Sequence, residues 1–157
     1  MRSGTWESYH AITTLMYRYA ECIDAADFAG LAALFAHGRI RSSAGPAGNG
    51  WSGDEVRAFY SRSNRVHEDG TLRTRHVNAN PIADIDEAAG RATVRSTYVV
   101  FQATRKLPFQ PIVGGRYEDR FERVDGAWRW AERLIHVDQV GDVSEHLALD
   151  PKLLARR

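Results

Sequence analysis

Apolar residues recur at helical spacing up to Gly70 and at every second position beyond it, so the chain divides into a helical first part and a stranded second part. Ile12, Leu15, Met16, Tyr19, Cys22 and Ile23 form one apolar stripe and predict a helix from about Thr5 to Ala25. Asp27 is placed to cap a second helix, Phe28 to Phe35, whose Leu31, Leu34 and Phe35 would be buried. Ser52 and Glu55 form a capping-box pattern opening a third helix, with Val56, Phe59, Tyr60 and Val66 on its apolar side. The Gly/Pro/Ser-rich run from Ser42 to Gly53 reads as a surface loop between patterned segments.

Four strand-like segments follow: Leu72–Asp84, Arg91–Lys106, Ile112–Val124 and Ala127–Val137. Turn signals separate them at Asp86–Gly90, around Pro108 and Pro111, and at Asp125-Gly126, a dipeptide suited to a tight primed hairpin turn. Helices first and a long-stranded meander afterwards predict an α+β fold, with helices on one face of a curved antiparallel sheet. On the second strand Ala92, Val94, Ser96, Tyr98, Val100 and Gln102 share the inner face. On the third, Gly115, Tyr117, Asp119 and Phe121 point inward opposite Arg116, Glu118, Arg120 and Glu122. Asp119 is thereby expected as an inward acid among aromatics. The tail from Gly141, with Leu147, Leu149, Leu153 and Leu154, is expected to form a short helix or a strap over a neighbouring surface.

Charge and composition narrow the functional classes. The chain has 157 residues, which suits one domain, and its 21 Lys+Arg against 20 Asp+Glu leave a formal charge of +1. No block of like charge offers a surface for nucleic acid. A single cysteine, Cys22, excludes a disulfide within the chain and gives no Cys-based metal motif. Arg2, Glu7 and Arg18 interrupt the first twenty residues, where no signal peptide or membrane span is visible, and the expected setting is the cytoplasm.

The stretch Thr74-Arg75-His76-Val77-Asn78-Ala79-Asn80 (TRHVNAN) is unusual for a strand, because alternation puts Thr74, His76, Asn78 and Asn80 on one face. Asparagine is a poor strand former, so that face is either wet or lines a polar cavity. Asp24, at the end of the first helix, faces the negative end of the helix dipole and is flanked by Ile23 and two alanines. Both effects would raise its pKa toward the range of a general acid or base; the alternative is a surface acid in the helix–helix turn. His76 is its natural partner, a titratable ring that a carboxylate could orient. Tyr19 lies five residues earlier, about 140° round the helix, and would reach a cavity from another side. Tyr98 and Tyr117 would be aromatic walls whose hydroxyls could hold a carbonyl oxygen. On the last strand Arg133 and His136 fall on opposite faces, and parity with Trp128 and Trp130 favours His136 as the inward residue unless a bulge intervenes. His10, His37, His67 and His146 read as surface or helix-face residues. No metal-ligand spacing, Ser-His-Asp order, GxGxxG or phosphate loop is present.

Several runs together, RYAECIDAADFAGLAALF (Arg18–Phe35), TRHVNAN, GGRYEDRF (Gly114–Phe121), DGAWRWAERLIHVD (Asp125–Asp138) and GDVSEHL (Gly141–Leu147), resemble the SnoaL-like branch of the nuclear transport factor two superfamily across nearly the whole chain. The resemblance implies one domain over residues 1–157, a cone-shaped α+β barrel whose bent sheet wraps a deep apolar pocket closed by the first helices, with 141–157 as a C-terminal strap. Scytalone dehydratase and bile-acid dehydratase of that superfamily use an Asp–His pair with tyrosines and no cofactor. Asp24 and His76 match that pair, Tyr19 matches a tyrosine of the bile-acid enzyme, and Arg133 matches an arginine frequent in the last strand. The chain departs at Arg39-Ile40-Arg41-Ser42-Ser43, where these dehydratases place another catalytic tyrosine. The same motifs resemble the small, mainly structural subunit of aromatic-ring-hydroxylating dioxygenases.

These readings converge on one expectation. The chain would be a cofactor-independent dehydratase, isomerase or cyclase acting on a small cyclic hydrophobic substrate, a polyketide- or steroid-like ring. Asp24, His76 and Tyr19 would be catalytic, and Asn78, Tyr98, Tyr117, Asp119, Arg133 and His136 would bind substrate, with no metal. A homo-oligomer, dimer or trimer, is expected, without nucleic-acid or membrane partners. The alternatives are a dioxygenase small subunit and a protein that only binds a lipophilic ligand.

Overall fold

A computed structural model describes residues 4–43, 48 and 50–148. Three helices, α1 (Trp6–Asp24), α2 (Phe28–Leu34) and α3 (Asp54–Ser63), accompany five strands, β1 (Arg39–Ser42), β2 (Thr74–Asp86), β3 (Arg91–Gln102), β4 (Gln110–Val124) and β5 (Ala127–Val140). The chemistry of the helix starts explains where each begins. Thr5 accepts a hydrogen bond from the Ser8 N–H at 3.2 Å, and Asp27 accepts one from the Gly30 N–H at 2.8 Å. Only half of the expected box opens α3: the Glu55 carboxylate takes the Ser52 N–H at 3.2 Å, while no side chain caps the first turn. Val66, expected on the apolar side of that helix, lies beyond its end and is exposed.

The strands form one sheet in the order β1-β5-β4-β3-β2. β2 through β5 run antiparallel, as their hairpin signals require. The addition is β1, which pairs in parallel with β5 in the register Ile40↔Arg133 and is covered on its other side by a two-bond bridge to Trp51. A four-residue strand carries too little alternation to register as a pattern, and its loop-like surroundings hid it further. Among the described residues the sheet therefore has two edges and is not closed into a barrel.

Of the four register shifts in the sheet, three bear on which side chains look inward. In β2 the pairing shifts between Ala79 and Ile82, and Asn80 adopts a positive φ of 54°, a conformation asparagine tolerates better than most residues. Asn80 thereby turns out to the exposed side, whereas Thr74, His76 and Asn78 stay on the inner face. In β5 an extra residue, Ala131, lies between the pairs Phe121↔Trp130 and Arg120↔Glu132. That bulge reverses the parity expected from the tryptophans: Trp128, Trp130 and Arg133 all point inward. His136 is turned to the outer face instead, its Nε2 3.0 Å from Glu118 Oε1. The third shift, at Gly114/Gly115, lets the Tyr98 ring lie over Gly115.

Ile12, Met16, Tyr19 and Ile23 of α1 meet Val94, Tyr98, Val100, Tyr117, Phe121 and Trp130 of the sheet, with Leu31 and Phe35 from α2 and Val56 from α3 completing the core. No helix among the described residues is long and apolar enough to cross a membrane. Gly141–Ala148 turns back toward the end of α3, where Leu147 bridges to Asn64; Leu149, Leu153 and Leu154 lie outside the described residues.

A Cβ at Gly115 would stand 2.0 Å from the His136 carbonyl oxygen and 2.9 Å from the Tyr98 ring. Gly115→Ala is expected to lower stability by about 1–3 kcal/mol, read as a fall in the urea midpoint, because one of its obstacles is backbone. Its neighbour Gly114→Ala, which meets only the end of the Gln139 side chain, should cost less.

Candidate active site

Two polar groups sit on the inner side of the sheet under α1. The first joins the end of α1 to the start of β2. The Asp24 carboxylate accepts three hydrogen bonds from β2: the Thr74 hydroxyl and His76 Nδ1 at 2.6 Å each to Oδ1, and the His76 N–H at 3.0 Å to Oδ2. Leu72 N–H adds a bond to the Asp24 carbonyl at 3.2 Å. The side chains are well shielded, with 13% of Asp24 and 6% of His76 exposed. A carboxylate at Nδ1 fixes the ring's orientation and leaves Nε2 as the nitrogen able to take a proton.

These bonds overturn one electrostatic expectation. Burial does act to raise the Asp24 pKa, but the hydrogen bond and charge of His76, the Thr74 hydroxyl and the His76 backbone N–H outweigh it, and the carboxyl is held below its ordinary value. The helix-end and desolvation effects foreseen from sequence lose to three donors at bonding distance. Asp24 is therefore held as an anion against the His76 ring.

The second group centres on Arg133. Its Nε and Nη2 donate to Asp119 Oδ1 and Oδ2 at 2.8 and 2.7 Å, both side chains fully buried, and Trp130 Nε1 donates to the same Oδ1 at 3.2 Å. The guanidinium carbon lies 4.3 Å from the Tyr19 ring centre, 3.9 Å from Tyr117 and 4.8 Å from Trp130. Burial works against the Arg133 charge, but the Asp119 carboxylate more than offsets it and holds the pKa above the usual arginine value. Asp119 is thus an internal counter-ion rather than a free acid. Nη1 remains buried without a hydrogen-bond partner.

The phenols complete this group. Tyr19 OH lies 3.0 Å from Tyr60 OH, a contact from α1 to α3. Tyr98 stacks on Tyr117 at 4.3 Å and spends its hydroxyl on the His136 carbonyl at 3.2 Å. Burial, the foremost cause in each case, raises the pKa of Tyr19, Tyr60, Tyr98 and Tyr117, which keeps these phenols protonated donors near neutrality. Asn78 holds α1 through Nδ2 to the Met16 carbonyl at 3.2 Å, leaving its Oδ1 unpartnered. Because Asn78 pairs with Tyr98 across β2–β3, the inner face presents a row from His76 and Asn78 through Tyr98 and Tyr117 to Arg133. Three strand spacings make that row about 14 Å long.

The structure therefore brings Asp24 to His76 and gathers Tyr19, Tyr117, Tyr98, Asp119 and Arg133 into a neighbouring cluster, but it takes His136 away. Tyr19 bonds Tyr60, not Asp24 or His76, as their angular separation on α1 requires. Thr74 and Tyr60 were legible only as inner-face and core residues. His146, read as a surface residue, is 7% exposed. Among the described residues no group of three or more His, Cys, Asp or Glu side chains is arranged to hold a metal ion.

A profile of the SnoaL-like domain matches residues 4–134. The chain belongs to the SnoaL-like domain family. No curated protein matches the sequence. Among solved structures, a protein of unknown function from Mycobacterium tuberculosis is 26% identical over 87% of this chain and 79% of its own, with a TM-score of 0.67. A Novosphingobium aromaticivorans protein named for scytalone dehydratase is 23% identical over 87% of both chains, with a TM-score of 0.67. A protein of the same organism named as the beta subunit of an aromatic-ring-hydroxylating dioxygenase is 19% identical over 86% of this chain and 92% of its own, with a TM-score of 0.62. The SnoaL-like fold is thus shared with proteins named for both activities.

Two outcomes are expected. Asp119→Ala should destabilise the SnoaL-like chain by about 3–5 kcal/mol in chemical denaturation, because it strands the buried Arg133 charge. The Asp24 carboxyl, lowered in the folded state from 3.8, contributes stability that is fully present above that pH and is lost as pH falls through the lower folded value. Urea midpoints of wild type and Asp24→Asn should accordingly differ at pH 6 and draw together as the pH is lowered below 3.8.

Proposed function

We propose that this SnoaL-like protein is a cofactor-independent acid/base enzyme, a dehydratase, isomerase or cyclase, acting on a small cyclic hydrophobic ketone of polyketide- or steroid-like shape. The observation that carries the reading is the Asp24–His76 pair. A carboxylate bound at 2.6 Å to Nδ1, and itself held by Thr74 and the His76 N–H, presents Nε2 as a base in a fixed direction. His76 Nε2 would take a proton from the carbon next to the carbonyl, and Asp24 would stabilise the imidazolium formed. The proton would return to another carbon in an isomerisation, or to a leaving hydroxyl that departs as water in a dehydration.

The negative charge that develops on the carbonyl oxygen needs donors. Tyr98 has spent its hydroxyl on His136 O, but the Tyr19–Tyr60 pair has two O–H groups and uses only one between them. The remaining O–H and the unpartnered Arg133 Nη1 are the donors available to an enolate oxygen. Tyr60 thereby supplies a second phenol to a chain that lacks one at Arg39–Ser43. The aromatic row between the two groups suits a flat ring.

The second reading, a structural subunit of a ring-hydroxylating dioxygenase, is favoured by the likeness to a beta subunit of that name and requires no base. A size measurement on the purified chain separates the two: a stable homodimer or homotrimer supports the enzyme, and insolubility relieved only by a large iron-containing partner supports the subunit.

Hydrogen–deuterium exchange at C2 of 1-tetralone in D2O, followed by proton NMR, tests the base directly. Wild type should accelerate it, and His76→Ala and Asp24→Asn should each lose about 10²–10⁴-fold of that acceleration while keeping the wild-type fold by circular dichroism. An Asp24→Asn/His76→Ala double variant as active as wild type sinks the proposal.

A further inference from the structure

His146 is a buried imidazole that the mechanism above leaves unused. Residues 143–148 run past the end of α3 and the start of β2 and are pinned from several directions. Arg65 N–H donates to His146 O at 2.8 Å, Ala148 N–H donates to Ser63 O at 2.9 Å, and Gln102 Nε2 donates to Glu145 O at 3.1 Å. His67 Nε2 lies 3.0 Å from the same Glu145 carbonyl. This anchoring holds the His146 ring where only 7% of the residue is exposed and where Nδ1 has no hydrogen-bond partner.

A space-filling core histidine would have its ring nitrogens satisfied, since an orphaned buried polar atom costs about 1–3 kcal/mol. The His146 segment is tied to the Asp24 end of α1, because Gln102 Nε2 donates to both the Glu145 and the Leu72 carbonyl oxygens, at 3.1 and 3.0 Å, and the Leu72 N–H donates to Asp24 O at 3.2 Å. Burial, then the neighbouring His76, pull the His146 pKa down to about 3, with Asp24 acting in the opposite sense and His67 in the same one. The ring therefore stays neutral at ordinary pH and can hydrogen-bond but not carry a proton. A second unpartnered atom, Asn78 Oδ1, stands two residues along β2 from His76 on the same inner face. Two buried polar atoms without partners thus belong to the segments that meet at the Asp24–His76 pair, where His76 Nδ1 is committed to Asp24.

We infer that His146 is a specificity residue of the Asp24–His76 site, receiving through Nδ1 a hydroxyl carried on the ring of the ketone substrate. This rests on the acid/base reading and sharpens its substrate class from a cyclic ketone to a hydroxylated one. His76 acts on the carbon beside the carbonyl, and His146 selects the molecules that bear the polar substituent.

Matched probes test it: 1-tetralone and 4-hydroxy-1-tetralone, with binding measured by calorimetry and C2 exchange by NMR. Wild type is expected to bind the hydroxylated ketone about five- to tenfold more tightly, the range of one neutral hydrogen bond. His146→Phe should abolish that preference, so that the two ketones bind alike, and His146→Gln, whose amide can still bond, should restore part of it. A purely structural role would move both probes equally. Should the phenylalanine variant not fold, nitrogen-15 NMR of wild-type histidines decides the matter: the His146 Nδ1 signal must shift with 4-hydroxy-1-tetralone and not with 1-tetralone. Equal binding of the two ketones by wild type, an unmoved Nδ1 signal, or an undiminished preference in His146→Phe overturns the inference. Exchange without a preference defeats this inference alone, whereas a preference without exchange defeats the acid/base reading alone.

Discussion

The Asp24 carboxylate is the interaction on which fold and site both turn. β2 is an edge strand, with β3 on one side and, among the described residues, no strand on the other. An edge exposes unpaired backbone donors that must be covered. Asp24 covers this one by taking the His76 N–H, the Thr74 hydroxyl and the His76 ring, and its own carbonyl takes the Leu72 N–H. One residue thereby docks the end of the first helix onto the sheet edge and fixes the ring of the histidine beside it. The geometry that stabilises the junction is the geometry that orients the His76 ring.

The opposite half of the interior depends on a buried charge pair. Arg133 is fully buried, so its charge is tolerable only because Asp119 meets it with two parallel bonds and aromatic faces lie against the guanidinium. The same arrangement leaves one donor, Nη1, uncommitted among phenols. The interior thus holds a carboxylate–histidine pair on its β2 side and a buried arginine among phenols on its β5 side, with Tyr98 and Tyr117 on the strands between.

Much of this was legible before any coordinates. The α1 stripe, the Asp27 cap, the hairpin at Asp125-Gly126 and the inner face of β3 follow from periodicities of 3.6 and 2 and from local turn chemistry, which act within a few residues. The pairing of Asp24 with His76 was visible through a helix-terminal acid and a polar strand face. What escaped, β1 and the seating of His146, depends on contacts between residues far apart in the chain, such as Ile40 with Arg133 and Arg65 with His146.

The alternation of polar and apolar positions determined the α+β class, the order of the long strands and the inward Asp119, because each is encoded in local spacing. Only the tertiary structure decided which of Arg133 and His136 enters the interior. One extra residue at Ala131 reverses the parity of everything after it, and the sheet accepts that bulge because it brings Arg133 opposite Asp119. Only the tertiary structure, likewise, set the sign of the Asp24 pKa shift. Sequence shows the helix end and the apolar neighbours, which raise it; the three donors that lower it arrive from a strand fifty residues away.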